Sequence, residues 1–172
     1  MNHQQVLEIS LIPGKAIVGG ERGDNIAAWA LLCAIGWQTT EFNRRKILST
    51  HTSLFNIPNK DLHELLQYRR HEIDKIEALL KIKVKNFAAL RALCVNNPGI
   101  AAAIGYINLT YFLSSFPGPD DWVASWKCYK RVSPQMHSNY QRRFDGPAQW
   151  AISHTNGWAL ARKLSQTDEV SH

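Results

Sequence analysis

Two short stretches near the end of the chain, Ser133-Pro134-Gln135-Met136 and Ser153-His154-Thr155-Asn156-Gly157, decide how its last third is read. With cysteine at 133, 136 and 153 and histidine at 156, the first would be C-P-x-C and the second C-x-x-H-G. That is the spacing at which two ligand pairs hold a small zinc-bound unit. The four ligand positions carry Ser133, Met136, Ser153 and Asn156, and none supplies a thiolate or an imidazole. His137 and His154 sit one position from ligand places and Cys128 lies upstream, which leaves a shifted Cys/His site as the alternative. The expectation is a ligand-free, ribbon-like unit, with no metal and no cofactor. A structural zinc contributes on the order of 10 kcal/mol. Burial of Phe144, Trp150 and Trp158 at about 1.5–3 kcal/mol each offsets part of its loss, so the unit needs support from the rest of the chain.

Charge sets the same segment apart. The chain has 172 residues and a formal net charge of +6. Residues 1–121 hold 13 Lys/Arg against 11 Asp/Glu, and residues 122–164 hold 7 against 1. The last eight residues add Asp168 and Glu169. Within the basic segment, aromatic and cationic residues interleave: Trp122, Trp126, Lys127, Tyr129, Lys130, Arg131, Tyr140, Arg142, Arg143, Phe144, Trp150, Trp158, Arg162, Lys163. Guanidinium and ammonium groups pair with phosphates while rings stack on bases, so Lys127, Lys130, Arg131, Tyr140, Arg142, Arg143, Arg162 and Lys163 are the candidate nucleic-acid contacts. A basic, solvated face or an acidic protein partner would use the same charges.

Upstream of the segment, the pattern is helical. Residues 5–12 alternate and predict a short strand, followed by a Pro/Gly loop from Pro13 to Gly23. Lys15 follows Gly14, but the order of a phosphate-binding loop is absent. Asp24 as a cap and Ile26, Trp29, Ala30, Cys33 and Trp37 at helical spacing predict a helix over 25–36 ending at Gly36. A second short helix is expected near Thr40, burying Phe42 and Ile47. A third is expected over 60–69, a fourth through Ile73 to Leu80, and a fifth after Asn86. Ile76 to Leu93 has the look of a helix-turn-helix pair, with Ala78 and Leu80 packing on Val84 and Leu90, although it lacks the turn glycine. Gly99–Phe116 is 18 residues without charge; its polar residues and flanking prolines favour a buried helix over a membrane span. The boundary is placed at Pro117-Gly118-Pro119-Asp120-Asp121, with Asp120 and Asp121 as loop and capping residues. The expected architecture is therefore mainly α: a helical unit over 1–118, a basic α+β zinc-ribbon-like unit over 119–164 and a polar tail over 165–172.

Taken in order, three stretches resemble the TniQ family of transposition target-selection proteins. The first is Pro13 through Trp37, with Gly20-Glu21, Trp29 and Gly36; the second is the pair Ile76–Leu80 and Phe87–Leu93. The third joins Arg131–Met136, Tyr140–Phe144 and Ser153–Leu160, similar to that family's R-x-C-P-x-C, Y-x-R-x-x-W and C-P-x-H-G-x-x-L series. The resemblance implies a non-enzymatic adaptor. It would recognise DNA or a CRISPR RNA-guided complex and recruit an AAA+ transposition ATPase, with a homodimer compatible with that role. The alternatives are a small helix-turn-helix transcriptional regulator and a protein-only interaction or inhibitor module from a mobile element. No enzyme is expected, because the sequence has no Ser/His/Asp arrangement, no metal triad and no carboxylate pair at a set spacing. Cys33, Cys94 and Cys128 form no C-x-x-C pair, and residues 1–5 have neither a basic nor an apolar run, so a reduced, cytoplasmic protein is expected.

Overall fold

A computed structural model describes residues 1–132 and 146–170, with the side chains of residues 169 and 170 left aside. The chain is mainly α-helical. Among the described residues are eight helices and one two-stranded antiparallel sheet. Helix α1 runs through His3–Gln5, Val6–Leu11 and Ile12–Val18, with a wide π-type turn in its middle. The others are α2 (Ile26–Thr40), α3 (Asn59–Tyr68), α4 (Arg70–Leu80), α5 (Phe87–Asn96), α6 (Pro98–Phe112), α7 (Trp122–Val132) and α8 (Pro147–Val170). Strands β1 (His51–Thr52) and β2 (Ile57–Pro58) pair His51 with Pro58 and Thr52 with Ile57.

Helices α2 and α6 form the centre. Both are buried on nearly all sides, which is why their sequences are apolar right round rather than striped. Asn25 caps α2 by accepting from the Ala28 N–H, and Asn97 caps α6 by accepting from Ile100, with Pro98 preset for the first turn. Trp29 stacks on Tyr106 across the two helices, 4.3 Å between rings, and donates its indole N–H to the Gly23 carbonyl at 2.8 Å. Around this pair, α1 packs on α6, and α8 lies along α2 as the most extensive contact in the fold. No single described helix is long and apolar enough to cross a membrane, and the apolar helices α5 and α6 meet at 117°.

Several expectations need correction. Residues 5–12 are helical, not a strand: Val6, Leu7, Ser10 and Leu11 are buried while Ile9 is exposed, a helical stripe that alternation mimics over so short a run. The helix continues through Pro13 because the wide turn ahead of it removes the narrow i, i−4 geometry that a proline ring obstructs. α2 continues past Gly36 to Thr40; a Cβ at Gly36 would stand 2.5 Å from the Phe42 ring and 3.1 Å from the Leu54 carbonyl, so glycine is there for close approach rather than termination. Near Thr40 the chain makes a turn through Glu41 and Phe42, not a helix, followed by a 3₁₀ turn at Arg44–Lys46. The segment beyond Asp121 is helical over Trp122–Val132 and Pro147–Val170, and its buried Trp126, Tyr129, Trp150 and Trp158 belong to the same core as α2 and α6.

The helix-turn-helix pair does not take that form. α4 and α5 both pack on α3 and barely touch each other. Their connection spans residues 81–86, longer than the usual three or four, and Ala78 is exposed. Glu77 fixes this loop. Its carboxylate accepts from the Val84 N–H at 2.8 Å and from Arg70 Nη2 at 2.7 Å, and Arg70 also donates to the Val84 carbonyl. The Val84 N–H, with Arg70 in support, holds the Glu77 carboxyl below its ordinary value of 4.5. A carboxyl depressed in the folded state stabilises fully above its unfolded pKa, and the contribution is lost as pH falls through the folded value. Glu77→Gln should therefore be less stable than the parent at pH 7, with the gap closing as pH drops below 4.5, as read by urea midpoints across that range.

Candidate functional site

Helix α7 presents the first group of candidate contacts. Asp121 Oδ1 caps it by accepting from the Ala124 N–H at 3.0 Å, the capping role expected for it. Ser125, Trp126 and Tyr129 point inward, which leaves Lys127 and Arg131 exposed on the opposite face. Lys130 stands between, half-buried, its ammonium 5.6 Å from the Trp126 ring. The inward face is clamped to α8: Trp150 stacks on Tyr129 at 4.6 Å and donates its indole N–H to Ser125 Oγ at 3.1 Å. A cationic row on a helix held this way is oriented before any ligand arrives.

Arg162 and Lys163 form a second group. They are exposed on α8, with the Arg162 guanidinium 5.6 Å from the Trp158 ring. They sit twelve residues beyond Trp150, or about 18 Å along the helix, so they do not join the α7 row. Lys163 lies near His3 instead; burial, and then this positive charge, hold the His3 pKa below its ordinary value. Among the described residues no carboxylate forms an ion pair with Lys127, Lys130, Arg131, Arg162 or Lys163. Tyr140, Arg142 and Arg143 lie outside the described residues.

The erased-ligand reading is corrected where it can be seen. Ser133 and Met136 lie outside the described residues, and Ser153 and Asn156 are in the interior of a 24-residue helix, where no ribbon turn exists. Ser153 is fully buried and donates to Gln38 Oε1 at 2.7 Å, a polar tie between α8 and α2. His154 Nε2 donates to the Pro119 carbonyl at 2.8 Å, binding α8 to the loop before α7. Among the described residues no cluster of three His, Cys, Asp or Glu side chains could hold a metal.

A feature the sequence reading missed lies where α2 meets the hairpin. Glu41, Phe42, Ser53 and Asn56 all have positive φ, between 49° and 71°, although none is glycine. Each such residue costs of order 1–3 kcal/mol and persists only where its surroundings dictate it. Thr40 does much of this: its hydroxyl lies 2.7 Å from the Leu54 carbonyl and 2.9 Å from that of Gly36, and accepts from the Phe42 N–H. Beside it, Asn56 Nδ2 is buried without a partner among the described residues, at a cavity of about 20 Å³ shared with Asp61 and Asn108. That volume holds one water. Asp61 accepts from Asn108 Nδ2, and Asn108 Oδ1 accepts from Arg69, whose guanidinium lies 3.9 Å from the Tyr111 ring. Burial raises the Asp61 carboxyl, with the Asn108 bond opposing it. Asp61 is the single carboxylate among the cavity's described lining, so the geometry is that of a polar tie rather than an acid and base pair.

The remaining reactive groups are similarly engaged. Glu72 accepts both its bonds from Arg22 Nη1, and burial raises the thiols of Cys33 and Cys94 away from the thiolate form. Comparison of the chain with protein-family models, with curated proteins and with solved structures gives no match, so the assignment of a site stands on the geometry above.

Proposed function

We propose that the chain is a non-enzymatic binding protein that holds nucleic-acid phosphates on the outer face of α7. The observation that carries this reading is the row Lys127, Lys130 and Arg131 on a helix clamped by Trp126, Tyr129 and Trp150, with no acidic partner among the described residues. Contacts of this type position a protein on a backbone without reading sequence. The buried carboxylates and thiols support a binding role, since each carboxylate is committed to an arginine, an amide or a main-chain donor and the thiols stay protonated.

The transposition adaptor is the specific form of this proposal, with an AAA+ ATPase and DNA or an RNA-guided complex as partners. It rests on the sequence resemblance of Pro13 through Trp37, because the Ile76–Leu93 helices do not form a helix-turn-helix and Ser153 to Gly157 are helix interior. Two measurements test the two levels. Duplex DNA binding followed from 50 to 200 mM salt should show a linear log–log dependence. Lys127→Ala with Arg131→Ala should reduce its slope by about 1.8, two phosphates at about 0.9 each. An unchanged slope would remove α7 from the interface. A nuclease-treated pull-down that returns an AAA+ ATPase supports the adaptor, and DNA binding without one leaves a general nucleic-acid binder.

A further inference from the structure

A second cavity, of about 260 Å³, opens between the hairpin tip, the 3₁₀ turn at Arg44–Lys46 and the outer side of α5. Its floor is apolar, formed by Ile47, Phe55, Val95 and Ala101. Arg44 and Arg91 line the same cavity, and its described lining contains no carboxylate. Arg91 Nε is buried and has no hydrogen-bond partner among the described residues, and neither arginine takes part in an ion pair there. Buried polar atoms are nearly always partnered, and leaving a charged donor unmet costs more than leaving a neutral one. Arg44 and Arg91 both line the cavity, so an anion bound there would meet cationic side chains and give the Arg91 Nε–H its missing partner.

We propose that this cavity is a binding site for a small organic oxyanion, a carboxylate or phosphate monoester carrying one apolar ring or a short chain. Guanidinium forks match both oxyanions, which accept two parallel N–H bonds. The apolar floor selects against free inorganic ions, because it gains from a hydrophobic body and offers nothing to a hydrated one. The volume sits just below the range of drug-sized pockets, which limits the body to about one ring. Cys94 contributes only wall: burial pushes its thiol up to about 12, so no covalent step is involved. The site is separate from the α7 row and does not depend on it.

The test is calorimetric titration of the full chain with benzoate, phenyl phosphate and the neutral isostere benzamide. The expected result is saturable binding of at least one anion, with benzamide about tenfold weaker or more. Whichever anion binds tighter identifies the oxyanion source. Arg91→Met keeps the aliphatic stem over the floor and should lose anion binding about tenfold, and Arg44→Met, at an exposed turn position, should do so without affecting the fold. Benzamide binding as well as the anions, no binding of either anion, or both variants binding as the parent does would each overturn the proposal.

Discussion

Gly157→Ala is expected to lower the melting temperature by about 4–8 °C, the reverse of what helix propensity alone would give. In an exposed helix interior, alanine gains up to about 1 kcal/mol over glycine. At this position, though, a Cβ would press on the Ala30 carbonyl, lie 2.8 Å from the Ala34 nitrogen and 3.0 Å from its Cβ. These are mostly main-chain atoms of α2, so no rotamer change can make room and the two helices must separate. Overpacking of this kind costs about 1–3 kcal/mol, and contact with backbone belongs at the upper end. The net loss of about 2 kcal/mol converts to the stated shift for a chain of this size. Gly118→Ala is the control, since nothing stands within 4 Å of a Cβ there, and it should leave the melting temperature unchanged or slightly raised. The comparison also separates two readings of Ser153 to Gly157: in an exposed ribbon turn the alanine would cost little. A melting temperature at or above the parent's would mean that α8 does not cross α2 at Gly157.

That glycine shows why part of the fold was legible in sequence and part was not. Local signals were read correctly where one residue does one job. Asn86 caps α5 by accepting from Ala89, and the uncharged run after Pro98 is a buried helix. Signals that depend on a distant partner were misassigned. Gly36 and Gly157 look like terminators or turns in sequence, and both are contact points between elements, one with the hairpin side and one with α2. Ser153 looks like a lost ligand until its bond to Gln38, 115 residues away, is seen. The candidate contacts come from composition, which does not give their arrangement: of the five of eight that are described, Lys127, Lys130 and Arg131 lie on α7, while Arg162 and Lys163 lie on α8, twelve and thirteen residues beyond Trp150. The strained turn at the end of α2 carried no signal, because its positive-φ positions hold Glu, Phe, Ser and Asn and not glycine.

Trp150→Ala should cost about 3–5 kcal/mol, the largest effect of any single substitution considered. Trp150 is fully buried, stacks on Tyr129 with 16° between ring planes, lies 6.1 Å from Trp126 and supplies the hydrogen bond to Ser125. Truncation removes the central ring of the clamp and leaves the Ser125 hydroxyl facing a void, so the loss combines transfer, cavity and polar terms. Trp150→Phe keeps a stacked ring and forfeits mainly the hydrogen bond, so about 1 kcal/mol is expected from that bond, with a further cost for the smaller ring. Urea unfolding gives both values. The functional consequence follows from position: α7 carries Lys127 and Arg131 and is held to α8 through this ring, so Trp150→Ala frees the cationic row while keeping every charge. If pre-orientation matters, nucleic-acid affinity falls, with the salt slope set by however many phosphates the loosened row still engages. If charge alone matters, affinity and slope both stay at parental values wherever the variant remains folded, and the clamp would then be a stability element with no part in binding.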